Sequence, residues 1–308
     1  MNIIPELKDL QNNFDKIVAK SKQIPLSEIL DKIYVSPPYF AFKEIYQYKD
    51  FLISPIHPEQ SIRFEATPMS SAEAGRHLAI LGSCALGIEE EDKNYYLASR
   101  ALKEGYYHKQ TKLNDSKLYV VAKKISSSKI ECQAYTALLD NDGQIIFSMD
   151  ITYQKLSKKL FSRLFKSFVR EKSEGKNNIT HNPYKDIIEL ENIQILESGI
   201  NAKLPIIKDS YCVGHFDEAP MLPVGTMSYI ITNHIGEMLR RIDNNTQKDY
   251  CLVSADLQLF EPTSNDQRAN IAIEYLHKDE NGDHIVTWEV KGEDGKTKNQ
   301  MKLVWKKI

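Results

Sequence analysis

The chain has 308 residues, with 40 lysines and arginines against 42 aspartates and glutamates, and a formal net charge of -2. This balance excludes a bulk electrostatic attraction for nucleic acids or for acidic membrane surfaces. With 42% hydrophobic and 27% charged residues, the composition is that of a globular protein, and the length predicts two domains.

The beginning of the chain predicts neither a secretory signal nor a membrane anchor. Charged residues such as Glu6, Lys8 and Asp9 interrupt the stretch that would be apolar in a signal peptide. Apolar runs elsewhere are broken well short of the ~20 residues that cross a bilayer. We therefore expect a cytoplasmic protein.

The cysteines favour a structural role. They are widely separated, with no Cys-x-x-Cys or Cys/His cluster of the kind that binds zinc. This pattern predicts buried, small apolar side chains in a reducing compartment. The four residues are Cys84, Cys132, Cys212 and Cys251.

Two stretches predict buried helices, residues 70–87 and 225–242. The first begins with Ser70 as an N-cap and continues as a mostly apolar run. The second places apolar residues at helical spacing and ends in Arg240 and Arg241, which suit the negative end of a helix dipole. Because both stretches are largely apolar, both helices should lie in the core.

Alternating runs of strand character follow each helix. Residues 140–143 and 281–282 supply turn sequences between such runs, which is typical of antiparallel hairpins. An internal repeat strengthens the parallel, since residues 63–69 (RFEATPM) and 215–221 (HFDEAPM) share Phe, Pro and Met at the same offsets. A repeat of half the chain indicates a duplicated domain.

A basic, amphipathic segment separates the two halves. Its apolar residues at helical spacing predict a linker helix over residues 156–183 that packs its apolar stripe on one domain. A docking surface for an acidic partner protein is the alternative. Residues 1–30 are expected to form a helical appendage. The stripe consists of Leu156, Leu160, Leu164, Phe165 and Phe168.

The most informative stretch is residues 213–226, VGHFDEAPMLPVGT. A strand-like lead-in delivers His215, Pro220 and Pro223 fix the loop, and Gly225 opens a buried helix. Backbone N–H groups at a helix start can stabilise an oxyanion, and a histidine beside them can move a proton. The pattern is suited to deprotonating the carbon next to a thioester.

Gly214-His215-Phe216, followed by Pro220 and Pro223, resembles the G-H-F-x-G-x-P-x-M-P-G motif of the beta-hydroxyacyl-acyl-carrier-protein dehydratases of the hotdog fold. The resemblance implies an α+β double hotdog. Two tandem domains, each a central helix wrapped by an antiparallel sheet, would pair as a pseudo-dimer. The motif covers the second domain, residues 184–308, and the first, residues 31–155, is matched more weakly. The chain would be a monomer or a homodimer.

In that family, each site takes its histidine from one hotdog and its acid from the helix of the other. The acid position of the second helix is Tyr229 here, and the histidine position of the first half is Arg63. The first helix instead carries Glu73 and His77 in an E-x-x-x-H pattern. The resemblance therefore implies one composite site, His215 with Glu73, and an inactive counterpart.

The implied reaction removes water from a 3-hydroxyacyl thioester carried on the phosphopantetheine arm of an acyl carrier protein. His215 would take the alpha proton, and Glu73 would act on the departing hydroxyl with support from His77. Amides of Val224 or Gly225 would hold the thioester carbonyl. No metal or organic cofactor is expected, and no nucleic acid or membrane partner. The residues expected to shape the loop are Phe216 and Pro220.

Alternatives remain open for several of these residues. Glu73 could form a capping box with Ser70, because Ser-x-x-Glu is the pattern of that motif. Tyr229 favours a core aromatic with a hydrogen-bonded hydroxyl, and Arg63 could neutralise a carboxylate or be a surface charge. For the whole protein, the alternatives are a hotdog thioesterase and a non-catalytic partner that binds acyl thioesters.

Overall fold

The computed structural model describes residues 14–107, 117–169, 181–244 and 250–308. Two long helices form the centre of the molecule, and three short ones lie outside it. In chain order the helices of the described residues are α1 (Phe14–Lys20), α2 (Leu26–Leu30), α3 (Ser71–Gly87), α4 (Lys158–Leu164) and α5 (Val224–Ile242).

One large antiparallel sheet contains all the strands of the described residues. They are β1 (Lys22–Ile24), β2 (Ile45–Tyr48), β3 (Phe51–Ile56), β4 (Asn94–Gly105), β5 (Leu118–Ser127), β6 (Glu131–Leu139), β7 (Ile145–Ser157), β8 (Glu191–Leu196), β9 (Gly199–Leu204), β10 (Tyr250–Leu259), β11 (Ala269–Lys278), β12 (His284–Gly292) and β13 (Thr297–Lys307). Their order across the sheet is β1-β2-β3-β5-β6-β7-β4-β10-β13-β12-β11-β9-β8. The strands of the two halves of the chain therefore occupy the two halves of the sheet.

The two halves join where β4 pairs with β10. Lys103 lies opposite Ala255 in this pairing, and Arg100 donates two hydrogen bonds to Asp256 across the join, at 3.2 and 2.9 Å. Helix α3 packs on β5, β6 and β7, whereas α5 packs on β9 and β12, and the two helices contact each other. Each half is thus a helix wrapped by its own strands, and the expected α+β double hotdog is confirmed.

The sequence located both central helices within one residue of their observed ends. The Ser70 side chain caps α3 by accepting a hydrogen bond from the Glu73 amide at 3.2 Å. Arg240 and Arg241 occupy the last turn of α5, next to its exposed carbonyl groups. Nearly every residue of α3 is buried, as its continuous apolar run predicts.

Both predicted hairpin turns are present. Between β6 and β7, the Asp140 carboxylate accepts hydrogen bonds from the amides of Asp142 and Gln144, each at 2.9 Å. Gly143 follows with a φ of +78°, a conformation that side chains disfavour. Between β11 and β12, Gly282 has a φ of +79° for the same reason. Local turn chemistry therefore fixes the register of both hairpins.

The linker region differs from its prediction. Strand β7 continues to Ser157, which pairs with Asn94 of β4, so the helix begins only at Lys158. Phe161 is completely buried in this helix, whereas Leu164 is 55% exposed. The predicted apolar stripe is therefore wrong in part, because its first residue, Leu156, lies in strand β7 and not in the helix. Residues 170–180 lie outside the described part of the chain.

The N-terminal segment is only partly the helical appendage that the sequence suggests. Residues 14–30 contain α1 and α2, but β1 lies between them and pairs with β2 at one edge of the sheet. Residues 1–13 lie outside the described residues. No helix that the structure describes is both long and apolar enough to cross a membrane. All four cysteines are buried free thiols, as predicted.

Candidate active site

The loop that carries His215 is held by the first half of the chain. The amide of Ser36 donates to the carbonyl of Gly214 at 2.8 Å. A side chain on Gly214 would place its Cβ 2.1 Å from the Ser36 carbonyl oxygen, and φ there is +84°, so the position requires glycine. Phe216 also adopts a positive φ, +55°. Two left-handed residues therefore flank His215 and fix its direction.

The imidazole of His215 is set up as a neutral base. Its Nδ1 lies 3.1 Å from the carbonyl oxygen of Met221. A carbonyl oxygen only accepts, so Nδ1 carries the proton and Nε2 keeps its lone pair. Burial lowers the pKa of His215 to about 4, against smaller opposing effects of the Met221 hydrogen bond and of Asp217. The ring is therefore uncharged at neutral pH.

The start of α5 lies beside this histidine and has no side-chain cap. Pro223 occupies the N-cap position and makes no side-chain hydrogen bond to the first turn. The first N–H groups of a helix have no acceptor within the helix, so those of Val224 and Gly225 remain available. A Cβ on Gly225 would lie 2.9 Å from the Cβ of Arg76 in α3. Glycine thus allows the two central helices to meet at this helix start.

A cavity of about 260 Å³ extends from His215 between the two helices and the strands around the β4–β10 join. Its wall is mostly apolar, which suits an acyl chain. Four of the predicted site residues line it, namely His215, Phe216, Val224 and Gly225. Pro220 does not line it. Residues that contribute from α3 and the strands include Ala72, Gly75, Ala79, Ala101, Met149, Ile151, Leu257 and Leu303.

Glu73 does not reach this cavity. It is 1% exposed, and its carboxylate accepts hydrogen bonds from the backbone amides of Glu59 and Gln60, at 2.5 and 3.2 Å. Glu73 is not among the residues that line the cavity, so the described structure does not bring it together with His215 in that wall. The capping-box alternative is also only half realised, because the carboxylate bonds to this loop while Ser70 caps the Glu73 amide.

His77 lies beside Glu73 but is part of the same buried cluster. Its Nε2 is 3.5 Å from the Glu73 carboxylate and 3.1 Å from Nη2 of Arg76, which also donates to Glu59. Burial first, and then the neighbouring Arg76 charge, hold the pKa of His77 well below its usual value, so it is neutral. Burial raises the pKa of Glu73. The cluster is a core network around a cation.

The same cluster has the donor set of a metal site. The ligand atoms of Glu59, Glu73 and His77 lie within 4.8 Å of one another. The Arg76 guanidinium, however, contacts both Glu59 and His77 and already supplies these groups with the positive charge that a metal ion would bring. A metal would have to displace it, so the arrangement fits the arginine better.

Sequence reasoning missed three residues of the cavity wall, Tyr39, Arg76 and Lys103. The Tyr39 ring lies edge-on to the His215 ring, with centroids 4.8 Å apart, and the Arg76 guanidinium is 5.9 Å from the same tyrosine ring. Tyr39 belongs to a segment outside the helices and strands, where the sequence shows no hydrophobic periodicity. Lys103 did have a signal, since it shares the inward face of β4 with Ala101 two residues earlier.

Arg63 of the first half and Tyr229 of the second half are the residues that were expected to form the inactive counterpart site. Arg63 approaches Glu189 at 3.8 Å near the surface, where such a pair contributes little. The hydroxyl of Tyr229 donates to the Ser61 carbonyl at 2.9 Å, and the ring is 3% exposed. Tyr229 is thus the hydrogen-bonded core aromatic that was predicted. Neither residue lines the cavity.

Comparisons with known proteins agree with this architecture. No family model and no curated protein sequence matches the chain. Among solved structures, a tesB protein from Mycobacterium avium subspecies paratuberculosis is 7% identical, with a TM-score of 0.55, and the match covers 88% of this chain and 98% of the other. The fold and the site together define a double-hotdog protein with an apolar cavity between its two central helices.

Two thioesterases that act on acyl-ACP are similar over comparable lengths. The 12:0-ACP thioesterase from Umbellularia californica is 10% identical, has a TM-score of 0.52, and the match covers 89% of this chain and all of the other. An acyl-ACP thioesterase from Bacteroides thetaiotaomicron is 11% identical, with a TM-score of 0.51 and coverage of 83% and 98%. At these identities the likeness extends to the fold alone.

Proposed function

We propose that the protein is an enzyme that acts on acyl thioesters, with His215 as its base, and that it removes water from 3-hydroxyacyl thioesters. The observation that carries this proposal is the neutral His215, with a free Nε2, beside the uncapped start of α5 in one apolar cavity. A base next to oxyanion donors is what proton removal beside a thioester requires.

In this mechanism, the amides of Val224 and Gly225 hold the thioester carbonyl as it gains enolate character. His215 Nε2 takes the proton from carbon 2, and the electrons of that C–H bond form the carbon 2–carbon 3 double bond as the carbon 3–oxygen bond breaks. Because Glu73 lies outside the cavity, we assign His215 to return the proton to the departing hydroxyl. Water leaves, and His215 is neutral again.

Hydrolysis of the thioester is the second candidate. The carboxylate of Glu261 is the only one among the described residues of the cavity wall, and it is exposed and paired with Lys298 at 2.6 Å. Hydrolysis by a single base needs no second acid in the wall, since His215 could activate water while the α5 amides hold the tetrahedral oxyanion. The fold shared with two structures described as acyl-ACP thioesterases adds support.

We also propose that the acyl group arrives on a phosphopantetheine arm, with an acyl carrier protein as the partner. Two of the similar structures are described as acting on acyl-ACP. The cavity encloses the acyl chain, so the carrier itself would remain at the surface near His215. Coenzyme A presents the same arm, and the test below includes both carriers.

The test is mass spectrometry of 3-hydroxyacyl thioesters, on acyl carrier protein and on coenzyme A, after incubation with the protein. Loss of one water supports dehydration, and release of the free carrier supports hydrolysis. His215→Ala should lower kcat/KM by about 10²- to 10⁴-fold in either case. The matched control is Arg63→Ala at the repeat-equivalent position, which should stay within about threefold of wild type. Intact thioesters of every chain length would overturn the enzymatic proposal.

A further inference from the structure

A buried lysine lines the same cavity at a distance from His215. Lys103 is 8% exposed and projects from β4 among apolar neighbours. Its row of the sheet continues through Met149 on β7 and, across the join, through Ala255 to Leu303 on β13. A lysine in an apolar cavity wall costs free energy unless its charge has a partner.

The charge of Lys103 is incompletely partnered among the described residues. Its ammonium carries three donors, and one of them bonds to the Ser71 carbonyl at 2.6 Å. The nearby acid, Glu65, is turned towards α3, where it accepts from the amide and hydroxyl of Ser71, at 2.9 and 3.2 Å. Lys103 and Glu65 attract each other electrostatically, but no ion pair within 4.0 Å joins them among the described residues. The ammonium therefore keeps donors available for a bound group.

The position of Lys103 relative to the start of α5 follows from helix α3. The Lys103 Nζ lies 3.6 Å from where a Cβ on Gly75 would be, and the Cα of Arg76 lies 3.5 Å from where a Cβ on Gly225 would be. Gly75 and Arg76 are neighbours in the chain. With about 3.8 Å between adjacent Cα atoms and about 1.5 Å per carbon–carbon bond, Nζ is at most roughly 14 Å from the Gly225 Cα.

We propose that Lys103 binds a carboxylate at the far end of the acyl chain, so that the preferred substrates are thioesters of dicarboxylic acids. This inference rests on the proposed function, because it takes the thioester carbonyl to lie at the start of α5. After allowance for a hydrogen bond at each end, the 14 Å limit accommodates at most about seven bonds of extended chain between the two groups. A carboxylate completes the partners of the ammonium, whereas a terminal methyl group leaves them incomplete.

The surrounding wall makes the recognition specific to one end of the chain. The apolar residues Ala101 and Leu257 face each other across the β4–β10 join, two positions along the strands from Lys103 and Ala255, and both line the cavity. Methylene groups of the acyl chain therefore have apolar wall to contact near Lys103. This arrangement matches a ligand with polar groups at both ends and methylene groups between them.

The test compares binding of adipoyl-pantetheine and hexanoyl-pantetheine, which share a six-carbon chain and differ in the terminal carboxylate. Isothermal titration calorimetry is carried out in a His215→Ala background, so that the thioester stays intact. We expect the carboxylated ligand to bind about 10- to 100-fold more tightly, and Lys103→Met to abolish that difference. The matched control is Lys123→Met, because Lys123 also lies over a phenyl ring, at 5.5 Å against 5.6 Å for Lys103, but outside the cavity.

Equal binding of the two ligands before any change at Lys103 would overturn the inference, even if Lys103→Met failed to fold. A carboxylate preference that survives in Lys103→Met would overturn it as well. The proposed function fails separately, by the absence of turnover in the wild type. A carboxylate preference in a protein without turnover would therefore support the Lys103 site and contradict the enzymatic proposal.

Discussion

The starts of the two central helices have opposite arrangements. At α3 the chain closes its own helix start, because Ser70 caps the Glu73 amide and the Glu65 carboxylate accepts from the Ser71 amide. At α5 the N-cap is Pro223, which offers no side-chain acceptor, and Val224 and Gly225 of the first turn line the cavity. One hotdog thus satisfies the amides at its helix start with its own side chains, whereas the other leaves its helix start without a side-chain cap.

The loop before each central helix is anchored by a buried phenylalanine, and the two loops differ in the residue that precedes this phenylalanine. Phe64 packs against Trp305 with ring centroids 5.1 Å apart, and Phe216 packs against Tyr95 at 5.4 Å. Each phenylalanine follows the residue that the repeat aligns, Arg63 or His215. Because both anchors are buried, the repeat preserves the packing of the loop in both halves. The change from arginine to histidine is what distinguishes the candidate site.

The largest expected effect comes from removing these anchors one at a time. Phe216→Ala and Phe64→Ala should each lower the free energy of unfolding by about 3–5 kcal/mol, because both rings are buried among other aromatic residues. Only Phe216→Ala should also lower kcat/KM of the protein that remains folded, since Phe216 supports His215. Urea unfolding and steady-state kinetics at a temperature where both variants are folded measure the two effects.

An equal loss of kcat/KM in Phe64→Ala would contradict the comparison. It would mean that the first loop contributes to the reaction although it does not line the cavity. A loss of stability confined to Phe216→Ala would instead show that the first loop is held mainly by other contacts, such as the hydrogen bond from Arg240 to the Arg63 carbonyl at 2.6 Å.

The next largest expected effect is a pH dependence of the free energy of unfolding, caused by Glu65 at the start of α3. Burial raises the pKa of Glu65 from 4.5 to about 7. Between these two values the unfolded chain loses the Glu65 proton while the folded protein keeps it, so this group lowers the free energy of unfolding as pH rises. The loss of stability grows across this interval and is absent below pH 4.5, where both states hold the proton.

Glu65→Gln removes this titration and keeps a side-chain acceptor for Ser71. The variant should therefore gain stability relative to wild type as pH rises from 4.5 to 7, as measured by urea unfolding at several pH values. A stability difference that does not change with pH would show that Glu65 is ionised in the folded protein throughout this range. Asp217, the repeat equivalent of Glu65 in the open loop, provides the matched substitution, Asp217→Asn.

The sequence predicted the fold well because its main signals are local. Capping by Ser70, the turn at Asp140 and the apolar runs of both helices each depend on a few neighbouring residues. The repeat and the motif around His215 then singled out this cavity-lining residue, whose Nδ1 hydrogen bond to Met221 spans only six positions. These local signals could not identify a second residue that acts together with His215.

Helical spacing does not by itself give the direction of a side chain, so the sequence did not show that Glu73 lies outside the cavity wall. Arg76 follows Glu73 by three positions, and the contact between Arg76 and Gly225 accompanies a cavity-lining side of α3 that carries Ala72, Gly75, Arg76 and Ala79 but not Glu73. That contact joins residues 149 positions apart. Lys103 was missed for a related reason, since strand alternation places it inward but does not reveal that the space inside is an open cavity.

The smallest expected effect is that of Glu73→Gln, which tests whether Glu73 takes part in the reaction. The amides of Glu59 and Gln60 donate to different oxygens of Glu73, and glutamine keeps only one of the two acceptors, so the free energy of unfolding should fall by about 1–3 kcal/mol. Because Glu73 does not line the cavity, kcat/KM should stay within about threefold of wild type. A loss as large as that of His215→Ala, in a variant of normal stability, would mean that α3 rotates when substrate binds and brings Glu73 to His215. The difference between the capped start of α3 and the uncapped start of α5 would then describe only the protein without bound substrate.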